Sequence, residues 1–202
     1  MLYVLLDNGH GINTAGKRSP DGTILEYQYT RRLTAEIYTK LNNIKGIQPI
    51  LITPELQDIP LKQRVQRINK YVRQCGEGSH CIMISVHLNA AGRGEWMNAR
   101  GWSVWTTRGQ NNSDTLATIC YNNAVKALNG IATTRKEMSD GDPDYESNFY
   151  IIRYSNCPAI LTENLFQDNK QDVAILKTKE GFDAIVDLHV NTCVDWLNRL
   201  SK

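Results

Sequence analysis

Short apolar runs alternate along this chain with longer stretches whose apolar residues recur every three or four positions, and that alternation restricts it to an α/β architecture. Leu2–Leu6 reads as a buried strand running into the turn Asp7-Asn8-Gly9-His10-Gly11. Asn13–Thr23, with its Gly, Ser, Pro and Asp, reads as loop. Glu26–Ile44 sets Tyr29, Leu33, Ile37 and Leu41 on one helical face, and Ile47–Thr53 follows as a second strand. Pro60 fits the first turn of a helix from Leu61 to about Gln74, with Leu61, Val65, Ile68 and Val72 inward. Cys81–His87 is apolar almost throughout, as a central strand covered on both faces must be. Gly101–Thr107 is a fourth strand and Asn112–Leu128 a helix with Leu116, Ile119 and Val125 inward. Ser139–Ser147 reads as exposed loop, Phe149–Arg153 and Ala159–Glu163 as short strands, and Phe182–Leu200 as a last amphipathic helix. The expected fold is a single α/β domain over residues 1–202. Its twisted, mostly parallel sheet of about six strands carries helices on both faces.

A chain of 202 residues with 41% hydrophobic and 22% charged content supports one sizeable core. The net charge of +2 and the lack of a dense Lys/Arg run speak against nucleic acid or an anionic membrane as partner. No segment approaches the roughly 18 uninterrupted apolar residues that a membrane span needs. The start of the chain has neither the basic leader nor the long apolar region of an export signal, so release by other means or prior removal of a leader is expected. Five cysteines without a CxxC pair argue against a disulfide framework. The segment from Cys75 to Cys81 reads as two unpaired thiols around a turn, a bridged loop or soft metal site being the other options. Nothing in the sequence fixes an oligomeric state.

The chemistry lies in where potential metal ligands fall. His10 follows the first strand, His87 ends the third, Glu163 ends the last, and Glu26 opens the first long helix. Ligands gather at the carboxyl ends of strands in open α/β sheets. Two neutral imidazoles and one carboxylate form a usual catalytic zinc set with a fourth position left for water, whose pKa the ion lowers to about 7. A second carboxylate outside that set must then carry the proton to the leaving amine, and Glu163 fits that role. Taken singly, each residue has a plainer explanation: a turn histidine, a favourable charge at a helix start, a strand-end cap. Their joint placement at one rim favours the metal. His80 and His189 have no such company and read as structural or exposed.

The segments Leu6-Asp7-Asn8-Gly9-His10-Gly11, Glu26, Ile84-Ser85-Val86-His87-Leu88-Asn89-Ala90 and Ala159-Ile160-Leu161-Thr162-Glu163-Asn164-Leu165-Phe166 resemble the zinc-dependent N-acetylmuramoyl-L-alanine amidase family in order and rough spacing. Leu61, Arg64 and Asn69 resemble the family's Leu-x-x-Arg helix, and Phe166, Asn169 and Asp172 its continuation beyond the last strand. The resemblance implies hydrolysis of the amide joining the lactyl group of N-acetylmuramic acid to L-alanine in peptidoglycan, so the site of action would be the cell wall. It implies one zinc ion held by His10, Glu26 and His87, with Glu163 as the catalytic carboxylate. Asn8, and the long segment Gly92–Arg100, depart from the family pattern and bear on substrate detail.

Asn89 is a candidate for orienting substrate, and Trp96, Trp102, Trp105, Tyr145 and Tyr150 for lining a groove; alternation along a strand puts at least one of Trp102 and Trp105 in the core. The acidic loop Asp140–Glu146 is a candidate gate. Three other readings stand beside the amidase. One is a zinc peptidase cutting within the stem peptide, and a second is a catalytically silent wall-binding module, which the presence of all four residues disfavours. The third is a nucleotide-binding protein, disfavoured because the turn after the first strand lacks GxGxxG.

Overall fold

The computed structural model describes residues 1–75 and 80–200. The turn between Cys75 and Cys81 thus falls largely outside the described residues; both cysteines are free thiols, as are Cys120, Cys157 and Cys193.

The strands are β1 (Leu2–Asn8), β2 (Ile47–Leu51), β3 (Cys81–Asn89), β4 (Ser103–Thr106), β5 (Tyr145–Glu146) and β6 (Ala159–Phe166). The helices are α1 (Glu26–Asn42), α2 (Leu61–Cys75), α3 (Asn112–Ala127), α4 (Tyr150–Arg153), α5 (Lys170–Leu176) and α6 (Lys179–Leu200). One six-stranded sheet runs in the order β2-β1-β3-β6-β4-β5. β1, β2, β3 and β6 are mutually parallel, and β4 runs antiparallel to β6. β2 is an edge strand, which explains how it tolerates Pro49, a residue with no backbone N–H to give to a ladder.

The period of two along the central strands divides the core. Leu2, Val4 and Leu6 of β1 and Ile82, Ile84, Val86 and Leu88 of β3 face the layer of α1, α3 and α6. Leu5, Cys81 and Met83 face the thinner layer of α2 and α4. The same parity carries Asp7, Ser85, His87 and Glu163 onto the α2 side, beyond the point where apolar packing ends. A row of core positions thus becomes a row of polar groups at the carboxyl end of the sheet.

The expected class and strand number hold, with local corrections. Phe149–Arg153 is not a strand: Tyr150–Arg153 is a helical turn that buries Ile151 and Ile152 against α2, and the sixth strand is Tyr145–Glu146, inside the expected loop. β6 extends to Phe166, and α5 forms between it and the last helix. Val125 and Leu61 point outward, being 42% and 50% exposed. On α3 the inward positions are Leu116, Ala117, Cys120 and Ala124. Pro60 sits just before α2, its carbonyl accepting the Arg64 and Gln63 N–H groups.

Candidate active site

Gly9 carries the first constraint. A Cβ there would stand 2.5 Å from Nδ1 of His87, so only glycine lets the β1 turn pass beside that ring. The next residue, His10, holds φ at 63°, a left-handed conformation costly for a non-glycine residue. Gly11 then lies so close to the 54–60 segment that a Cβ would fall 2.0 Å from the Asp58 amide nitrogen. The Arg31 guanidinium secures the turn by donating to the His10 carbonyl at 2.9 Å.

β3 supplies His87, whose register partner on β6 is Glu163. α1 starts at Glu26, which is fully buried although its helix has no side-chain cap. Oε1 of Glu26 lies 3.4 Å from Nε2 of His10 and 3.2 Å from Nδ1 of His87, and the imidazoles meet edge to face with centroids 5.2 Å apart. One donor atom from each of these three residues falls within 4.8 Å of the other two. Neighbouring ligands on a tetrahedral zinc with bonds of 2.0–2.1 Å are separated by about 3.3 Å, so the set has the right size.

The two imidazoles are shifted in opposite directions. Burial, helped by the charges of His87 and Lys17, pushes His10 down to about 4 against the opposing pull of Glu26 and Asp58, leaving its imidazole neutral. Burial alone would raise Glu26, but the His87 hydrogen bond, both imidazoles and the Leu88 N–H outweigh it and hold the carboxyl below its ordinary range. Burial likewise lowers His87, yet Glu26, Glu163 and Asp7 outweigh it and raise that imidazole. Glu26 is anchored at both oxygens: Oε1 accepts the Leu88 N–H at 3.0 Å and Oε2 accepts Nε2 of Gln167 at 3.0 Å. Such outer partners fix a ligand's orientation.

Glu163 differs from Glu26 in just the way an acid–base group differs from a ligand. Its Oε2 is enclosed without a hydrogen-bond partner, and burial together with the Glu26 charge raises its carboxyl to about 7 although His87 and Lys17 pull the other way. That places the group where it can take and release a proton near neutral pH. The cavity beside the two imidazoles, of about 430 Å³, is walled by Asp58–Leu61 and Arg64.

Asn89 spends its side-chain oxygen on the Ala90 N–H at 2.8 Å. None of the five aromatic candidates lines this cavity. Trp102 is fully buried, Trp105 packs on Tyr145 and Phe149, and Tyr150 stacks on Tyr154. Side chains of the acidic loop bond Thr106, at the end of β4 away from Ser103, the partner of Glu163, and Gln110 beyond it. His189 is buried in α6 between Thr162 and the Ile185 carbonyl, a structural role.

Sequence reasoning passed over Gln167, Arg31 and the depth of the Arg64 network. Arg64 is 2% exposed and donates to Oδ1 of Asp7 at 2.9 Å, the Asn8 carbonyl at 2.7 Å and Oδ1 of Asp58 at 2.7 Å. The Asp172 carboxylate gathers the Gly101 and Phe166 N–H groups, and Asn169 caps α5. An Asp at the end of an apolar strand was the available sign of a buried partner; Gln167 offered none.

Comparison with known proteins agrees with this geometry. The family model for N-acetylmuramoyl-L-alanine amidase matches residues 4–192. The N-acetylmuramoyl-L-alanine amidase CwlM of Bacillus licheniformis is 25% identical across 95% of this chain and 67% of that protein. The sporulation-specific N-acetylmuramoyl-L-alanine amidase of Bacillus subtilis is 23% identical across 95% and 66%. The chain therefore spans about two thirds of the length of these two relatives. The crystal structure of an N-acetylmuramoyl-L-alanine amidase from Clostridium difficile superposes with a TM-score of 0.82 at 25% identity, covering 98% of this chain and 97% of that one. Sequence match, fold and the clustered His10, Glu26 and His87 converge: this chain belongs to the N-acetylmuramoyl-L-alanine amidase family of hydrolases.

Proposed function

We propose that this chain hydrolyses the amide between the lactyl group of N-acetylmuramic acid and L-alanine in peptidoglycan, using one zinc ion held by His10, Glu26 and His87 and Glu163 as general base. The observation that carries the reading is the pairing of a set of two imidazoles and one carboxylate, of tetrahedral size, with a second carboxylate on the adjacent strand whose Oε2 has no partner. When bound, zinc supplies Lewis acidity near neutral pH, acidifying water and polarising a carbonyl.

The chain's own residues do the rest. Glu163 takes the proton of the attacking water and delivers it to the departing amine nitrogen of L-alanine. Gln167 and the Leu88 N–H keep the Glu26 carboxylate facing the imidazoles. Ile59, Pro60 and Leu61 offer an apolar wall for the stem-peptide side of the cavity. Asn89, past His87 on the same rim, is placed to orient substrate through its amide nitrogen, its oxygen being engaged locally. Action at the cell wall follows from this substrate.

Metal titration of chelator-treated protein tests the site itself. One zinc is expected to bind per chain, and His87→Ala is expected to lose it. Gln167→Leu leaves all three ligands but frees Glu26 to rotate, so zinc affinity is expected to fall about 10–100-fold. Unchanged affinity in His87→Ala would place the metal elsewhere.

A further inference from the structure

A second cluster of acids lies where β4 ends and α3 begins. Oxygens of Asp114, Asp142 and Asp144 fall within 4.8 Å of one another. Each carboxylate has one oxygen tied down. Oδ2 of Asp144 accepts the Thr106 hydroxyl, Oδ2 of Asp142 accepts Nε2 of Gln110 at 2.8 Å, and Oδ2 of Asp114 accepts the Asn111 N–H inside the capping box of α3.

The other oxygens reveal what the cluster lacks. Oδ1 of Asp144 and Oδ1 of Asp142 are both enclosed with no hydrogen-bond partner, and Asp144 as a residue is only 1% exposed. No described Lys, Arg or His forms an ion pair with any of the three. Buried carboxylates left unpaired are costly, and they are retained where a cation or a proton neutralises them. Burial, with the Asp142 carboxylate against it, raises Asp144 to about 8. Burial also raises Asp114.

We propose that Asp114, Asp142 and Asp144 form a structural site for a hard divalent cation of the calcium type, separate from the catalytic rim. All of the side-chain donors are oxygens, the preference of calcium and magnesium rather than zinc. Two of the three come from one loop segment, Asp142-Pro143-Asp144, and the third from the first turn of α3, so a bound ion pins that segment to the helix. The site has a stabilising role and no catalytic one. Thr106 stands three positions beyond Ser103, the β4 partner of Glu163, or about 10 Å down the strand away from the rim.

Calcium alone, added to the zinc-loaded full chain, is the probe, with magnesium as comparison. Three carboxylates without a dedicated loop imply a dissociation constant of about 0.1–1 mM. The melting temperature should rise by about 5–10 °C once calcium exceeds that constant ~100-fold. Terbium should also bind and luminesce through the adjacent Tyr145. Asp144→Asn keeps the shape but cannot supply the charge a cation needs; it should keep or raise the melting temperature without calcium and lose the calcium response. Asp142→Asn, nearer the surface, carries the same test should the first variant fold poorly. Absence of any calcium response in the parent chain up to about 10 mM, or an equal response in both variants, overturns the site.

Discussion

Replacing Glu163 with glutamine is expected to lower kcat by about 10²–10⁴-fold while one zinc per chain stays bound. Glutamine keeps the volume and one carbonyl oxygen of the side chain but cannot take a proton. Glu163 is outside the trio whose donor atoms converge, so the metal set is left intact. The raised pKa, about 7, and the partnerless Oε2 are what set this carboxylate apart from the anchored Glu26. Metal analysis beside steady-state kinetics separates the two roles. Full activity in Glu163→Gln would remove the base assigned here, whereas loss of zinc from that variant would make Glu163 a ligand.

The largest stability effect is expected at Arg64. Arg64→Met keeps much of the aliphatic stem but leaves Asp7, fully buried, without its cation. Ser85 at 2.7 Å and Thr53 at 3.2 Å still donate to Asp7, yet neither neutralises it. Breaking a buried pair on one side costs about 3–5 kcal/mol, which for a chain of this size lowers the melting temperature by about 6–20 °C. Adding Asp7→Asn to Arg64→Met removes the stranded charge, so the double variant should recover part of the loss. Calorimetry on the two single variants and the double variant checks this. A loss below about 1 kcal/mol in Arg64→Met would mean that Asp7 is neutralised in another way. The same guanidinium holds Asp58 beside the cavity, so activity should fall together with stability.

Much of the fold was legible because its central strands are apolar on both sides and its long helices are one-sided. Leu2–Leu6 and Cys81–His87 could be little else than buried strands, and Tyr29, Leu33, Ile37 and Leu41 mark the inner face of α1 without ambiguity. The convergence of His10 and His87 was legible for a related reason: strand ends in a parallel sheet share a rim, so the two had to approach. Short apolar runs carry less information. Phe149–Arg153 has the residues of a strand, and burial of Ile151 and Ile152 against α2 as a helical turn satisfies the same hydrophobic demand. β5 has two residues and exists only through its pairing with β4, a tertiary contact with no local signal.

The hidden parts of the site are those that depend on approach in space. Gln167 reaches Glu26 from 141 positions away, and Arg64 joins the β1 turn to the 54–60 segment. The steric demand at Gly9 comes from a ring 78 positions later, so the sequence displayed a glycine-rich turn but not its purpose. Two of the three aspartates of the second cluster, Asp142 and Asp144, were visible in an acidic loop, while their approach to Asp114 on α3 and to Thr106 was not.

The central claim is zinc-dependent cleavage of one particular amide, and the most direct measurement is mass spectrometry of the products from purified peptidoglycan. Chelator-stripped protein and the same protein restored with zinc are compared. Free stem peptides beginning with L-alanine and intact glycan strands are expected, released only after zinc is returned. Fragments cut inside the stem peptide, or equal release by stripped and restored protein, would contradict it.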